Sequence, residues 1–106
     1  MSPTLFHILV ALADQDRHGY AIMLDVTART GGELKLSPGT LYGSIKRMLE
    51  QGLVEESGER PDAALDDERR RYYRLTDFGR RVATAEAERL SGLVQVARAK
   101  QLLARA

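Results

Sequence analysis

Residues 37–52 run Ser37-Pro38-Gly39-Thr40-Leu41-Tyr42-Gly43-Ser44-Ile45-Lys46-Arg47-Met48-Leu49-Glu50-Gln51-Gly52, and their punctuation and apolar spacing define one helix around which the other elements are placed. Ser is a preferred N-cap, because its hydroxyl accepts a bond from an otherwise unpaired backbone N–H. Pro at the first helical position loses no hydrogen bond, and Gly is a common residue just past a helix C-terminus. The punctuation therefore predicts a helix opening at Pro38 and ending at Gly52. Leu41, Ile45, Met48 and Leu49 make one apolar stripe at helical spacing. Thr40, Gly43 and Arg47 fall on the opposite face, flanked by Ser44 and Lys46. Tyr42 sits at the edge of the stripe, placed either to pack only or to pack while its hydroxyl reaches outward.

Upstream, residues 4–14 carry Leu5, Ile8, Leu9 and Leu12 on one helical stripe and Phe6, Val10 and Ala13 on a second face. A helix apolar on two faces is covered on two sides. After the polar turn Asp14–Gly19, a second helix is predicted from about Tyr20 to Thr30, stopped by Gly31-Gly32. Glu33-Leu34-Lys35-Leu36 alternates as a very short strand does. Downstream, Leu53–Ser57 and Arg69–Leu75 read as strands joined by the polar Gly58–Glu68 segment, with Tyr73 and Leu75 alternating against Tyr72 and Arg74. Thr76 then caps a last helix running from Asp77 to about Arg105. At 1.5 Å per residue it spans roughly 43 Å, too long for the preceding ~75 residues to cover, so it is expected to project.

Three helices, two strands and a long helix make a mainly α chain with a small β-hairpin (α+β), in the winged helix-turn-helix order. Residues 1–75 are expected to form the winged domain and 76–106 a C-terminal dimerisation helix. In such a fold the third helix enters the major groove of DNA. That role asks for a small residue for close approach, a hydroxyl for a phosphate or base edge, and an arginine for bidentate pairing with guanine. An ordinary solvated helix presents a similar face, so the element order carries the assignment. The division between phosphate and base contacts stays open.

Four segments in order resemble the PadR family of bacterial transcriptional regulators. His18-Gly19-Tyr20 resembles the opening of that family's second helix, and Leu36-Ser37-Pro38-Gly39-Thr40-Leu41-Tyr42 the start of its recognition helix. Met48-Leu49-Glu50-Gln51-Gly52-Leu53-Val54 resembles the exit into the first wing strand. Arg71-Tyr72-Tyr73-Arg74-Leu75-Thr76-Asp77-Phe78-Gly79 resembles the second wing strand and the start of the last helix. The resemblance covers most of residues 5–80. It implies a dimeric DNA-binding regulator, usually a repressor, often answering a small aromatic or cationic compound, and the short tail resembles the subgroup with a single C-terminal helix. Two departures stand out: Gly43 where the family often has Pro, and an acidic rather than basic wing tip.

The formal net charge of +1 gives no nucleic-acid signal by itself, but its distribution does. Eight acids (Glu50, Glu55, Glu56, Glu59, Asp62, Asp66, Asp67 and Glu68) stand against Arg60 alone, followed by Arg69, Arg70, Arg71, Arg74, Arg80 and Arg81 against Asp77 alone. Local fields therefore matter although the total nearly cancels. The expected DNA-contacting set is Ser37, Thr40, Tyr42, Gly43, Ser44, Lys46 and Arg47 on the third helix, with Arg69 and Arg71 at the wing backbone. Carboxylates at the wing tip repel phosphates, which counts against a contact there.

Leu90, Leu93, Val94 and Ala97 recur at i, i+3, i+4 and i+7 beyond the winged body. They predict a dimer in which this stripe packs against the first helix, through Leu5 and Leu9, across a two-fold axis. Two recognition helices so related reach successive major grooves about 34 Å apart and call for a near-palindromic site on double-stranded DNA.

The chain has 106 residues, no cysteine and two histidines, His7 and His18. Disulfide scaffolds, thiolate metal sites and thiol catalysis are excluded. No catalytic triad, phosphate loop, metal site or cofactor motif is assembled, and the chain reads as a non-enzyme. The longest apolar run, Ile8–Ala13, is far short of a membrane span, and no secretory signal opens the chain, so a cytoplasmic protein without membrane contact is expected. With no tryptophan, an indole sandwich for an effector is excluded; another pocket at the dimer centre, or no small-molecule effector, both fit. The rival reading is a winged-helix module that binds protein through an acidic wing.

Overall fold

A computed structural model of the chain describes residues 1–57 and 71–104. The order is α1 (Pro3–Ala11), β1 (Arg17–His18), α2 (Gly19–Arg29), α3 (Pro38–Glu50), β2 (Val54–Glu56), β3 (Tyr72–Leu75) and α4 (Asp77–Ala99). Each helix opens on a side-chain cap: Ser2, His18, Ser37 and Thr76 accept from the backbone N–H of Leu5, Ala21, Thr40 and Gly79. Ser37 and Thr76 fill the role read from sequence. His18 was read as a turn residue, and its Nδ1 caps α2 instead.

The core is built from α1, α2, α3 and the sheet, with Ile8, Leu9, Ile22, Val26, Leu41 and Met48 fully enclosed. Val82 and Ala83 bring the start of α4 onto it. At the joint between the wing and α4, a methyl group on Gly79 would run into the backbone carbonyl of Leu53, so α4 starts directly against the residue that leads into β2. Arg80 Nη2 donates to Ala13 O at 3.0 Å and ties the same turn to the end of α1.

The sheet has three antiparallel strands in the order β1-β3-β2, with Arg17 opposite Tyr73 and Val54 opposite Leu75. The third strand differs from the expectation. Residues 33–36 form no strand, and the short edge strand comes from Arg17–His18 in the polar turn. Its side chains are polar because one serves as a cap and the other as a bridge. Arg17 Nε donates to Ala11 O at 2.7 Å, and its Nη2 lies 3.4 Å from Asp14 Oδ2. No apolar alternation marks such a strand.

The last helix ends at Ala99 and is followed by a turn with Gln101 at φ 66°, so it is shorter than the sequence predicts. It still projects: Leu93, Val94 and Val96 are exposed, and the molecule measures 55 × 28 × 22 Å. The wing-tip residues from Gly58 to Arg70, Arg69 among them, and the end of the chain at 105–106 lie outside the described residues. Among the described residues, no helix is long and apolar enough to cross a membrane.

Candidate nucleic-acid interface

The buried edge of α3 is Leu41, Ser44, Ile45 and Met48. This is i, i+3, i+4, i+7, turned slightly from the stripe read in the sequence. Ser44 goes inward (4% exposed) and Leu49 outward (38%). A serine between Leu41 and Met48 adds little bulk, so the helix seats closely, while Leu49 lies at the margin of the arc. The structure therefore removes Ser44 from the outward face to which it was assigned.

Exposed on the other side are Ser37, Pro38, Gly39, Thr40, Lys46, Arg47 and Glu50, with Gly43 half-buried and no atom near its absent side chain. Ser37 Oγ is committed locally, accepting from Thr40 N at 3.2 Å and donating to Thr40 Oγ1 at 3.0 Å. Lys46 and Arg47 have no hydrogen-bond or ion-pair partner among the described residues. A glycine gap beside two free cations, on a helix held rigidly by its cap and buried edge, is a surface able to approach a polyanion closely. Lys35, two residues before the cap, is likewise exposed and unpaired. Its alternation with Leu34 and Leu36 is that of a short strand, which hides its place beside the cap of α3.

Tyr42 is half-buried against the core. Its hydroxyl lies over Gly19, 2.5 Å from where a Cβ would stand. Among the described wing cations, Arg71 and Arg74 are already engaged. Arg71 Nη1 lies 3.1 Å from Glu56 Oε1, and Arg74 Nε 2.9 Å from Glu55 Oε1. These pairs are half-exposed, so each contributes only ~0–1 kcal/mol and either arginine can exchange partners.

On the opposite side, Leu93 is 59% and Val94 36% exposed, with Leu90 and Ala97 half-buried on the same face of α4. Between α1 and α4 an open groove of about 180 Å³ is lined by Phe6, Val10, Ala83 and Ala87, with Arg80 at its edge. Leu9, expected at a dimer contact, is fully buried in the chain's own core, and Leu5 packs against that core. The face of α1 left for a partner is Phe6 and Val10, because Leu9 shares its helical edge with Ile8 and Leu12. Elsewhere on α4, the Arg89 guanidinium bonded to Glu86 at 2.7 Å holds that carboxyl below its ordinary value. His7 sits 3.3 Å from Arg29 Nη1, a structural contact between α1 and α2.

Residues 8–85 match the model of the transcriptional regulator PadR-like family. The transcriptional regulator Rv3488 of Mycobacterium tuberculosis is 34% identical over 89 residues, covering 84% of this chain and 77% of that protein. An uncharacterised protein of Lysinibacillus sphaericus is 30% identical over 74 residues, and an uncharacterised 37.1 kDa protein of a Streptomyces fradiae transposon 38% identical over 90. These matches cover 69% and 82% of this chain but only 64% and 24% of those two relatives. Among solved structures, a PadR family regulator from Clostridium difficile superposes with a TM-score of 0.73 at 24% identity, covering 94% of this chain and 99% of that one. Bacillus subtilis PadR, solved in complex with operator DNA, gives 0.69 at 20% identity, covering 82% and 48%. The fold is therefore the PadR-like winged helix, and the chain belongs to the PadR-like family of transcriptional regulators.

Proposed function

We propose that the chain is a sequence-specific DNA-binding repressor acting as a homodimer, with α3 as its recognition helix. The observation that carries this reading is the outward face of α3, where Arg47 and Lys46 are exposed and have no hydrogen-bond or ion-pair partner among the described residues, beside the open Gly43. Arg47 reads a base edge or holds a phosphate, Lys46 holds a phosphate, and Thr40 and Tyr42 add hydroxyl contacts. Arg71 approaches the backbone by leaving Glu56. The operator complex of Bacillus subtilis PadR supports a duplex as the partner. The exposed Leu93 and Val94 and the α1–α4 groove support a second copy of the chain as the other, packing α4 against Phe6 and Val10.

DNase footprinting on the duplex upstream of the chain's own gene tests this. A protected near-palindrome with half-sites about one DNA turn apart is expected. Uniform protection, or none, contradicts the reading and turns attention to the protein-binding alternative, which the ion-paired wing arginines favour.

A further inference from the structure

Two residues outside the DNA-facing set touch both DNA-facing elements. Gly19 is the buried first residue of α2, and a Cβ there would stand 2.5, 2.8 and 2.9 Å from Oη, Cζ and Cε1 of Tyr42 on α3. The conflict involves the ring itself, and that ring is packed against the core, so it has little room to swing aside. His18, directly before it, pairs with Tyr72 in the β1–β3 ladder. Its imidazole meets the Tyr72 ring edge-on at 5.3 Å and 90°. The same imidazole caps α2 through Nδ1, 3.1 Å from Ala21 N. Consecutive backbone positions are thus clamped at one end by the wing strand and at the other by α2, with the recognition helix resting on the clamp.

We infer that His18-Gly19 is the positioning element that sets α3 and the wing at one fixed separation. It thereby governs sequence discrimination without touching DNA. This rests on the DNA-binding reading above. Base-edge contacts need their donors within a few tenths of an ångström of ideal placement, whereas phosphate attraction tolerates displacement. A shift of α3 against the wing therefore removes specific binding and leaves non-specific binding nearly intact.

Gly19→Ala supplies the shift. Because the chain has no cysteine, Gly39→Cys on α3 and Arg71→Cys beside β3 take a spin-label pair without background. With labelled chain diluted into unlabelled chain, the distance distribution is read on free protein with and without Gly19→Ala. Binding of the unlabelled single variant to operator and to random duplex is measured alongside. The expected result is a displaced or broadened distance together with an operator affinity about tenfold lower or worse, at nearly unchanged random-duplex affinity. An unchanged distance overturns the positioning role. A displaced distance with unchanged operator affinity upholds the positioning and overturns the DNA role of α3. If Gly19→Ala does not fold, Gly19→Ala/Tyr42→Leu, whose shorter side chain leaves the methyl room, is expected to fold; a double variant as unstable as the single one overturns the inference. His18→Asn keeps a capping side chain but loses the edge contact with Tyr72. It should displace the same distance, and an unchanged distribution there removes His18 from the clamp.

Discussion

Glu55 and Arg74 stand directly opposite each other in the β2–β3 ladder and join through a 2.9 Å ion pair, so the wing neutralises its own arginine before DNA arrives. Arg71, just before β3, lies 3.1 Å from Glu56, which itself stands opposite Tyr73. On α3, Lys46 and Arg47 have no ion-pair partner among the described residues. If Lys46 and Arg47 of two protomers neutralise about four phosphates, log K falls with log salt at a slope near −4. Glu55→Gln/Glu56→Gln releases Arg71 and Arg74 and should steepen the slope by about 2 or more, with little change in stability because exposed pairs contribute ~0–1 kcal/mol. An unchanged slope in the double variant means the wing lies away from the duplex.

Gly79→Ala tests the joint between body and tail. Its methyl group meets the backbone carbonyl of Leu53, which sits at the start of the wing and cannot swing aside as a side chain does. Overpacking of this kind costs about 1–3 kcal/mol. Urea denaturation should show that loss, and a variant as stable as the parent would mean that α4 does not start against Leu53.

Leu9→Ala separates core from interface. Leu9 is wholly enclosed within one chain, so its truncation should cost about 2–5 kcal/mol of folding stability. Phe6→Ala, at the edge of the α1–α4 groove, should instead weaken self-association in sedimentation equilibrium. The reverse pattern would return Leu9 to the interface.

Ending the chain after Ser91 removes Leu93, Val94 and Ala97 and leaves the part of α4 that contacts the body. The shortened chain should sediment as a monomer and bind its operator far more weakly. A stable dimer without residues 92–106 excludes the tail as the main interface.

Most of this architecture was legible in the chain. Ser37-Pro38 and Thr76 announce α3 and α4 because capping chemistry is local, and Tyr73 and Leu75 mark the second wing strand by alternation with Tyr72 and Arg74. Other features were not legible. Arg17–His18 gives no strand signal, since its side chains serve as a bridge and a cap. Ser44 reads as polar, and only the seating of α3 on its neighbours shows that smallness, not polarity, is what the position uses. Leu9 and Phe6 are indistinguishable by composition, and which of them faces outward depends on the side from which α2 and α3 cover α1. In the outward set, Lys46 and Arg47 are exposed, as helical spacing from Leu41, Ile45 and Met48 requires, and have no partner among the described residues. The neutralisation of Arg71 depends on the register that brings Glu56 beside it, which no spacing reveals.

The recognition role of α3 stands or falls on Arg47→Ala, because this side chain is exposed and has no hydrogen-bond or ion-pair partner among the described residues. Fluorescence anisotropy with a footprinted operator and a scrambled duplex, at fixed salt, gives both affinities. The expected result is a loss of ~1–3 kcal/mol on the operator, with an unchanged melting temperature. Operator binding equal to that of the parent chain would contradict that role.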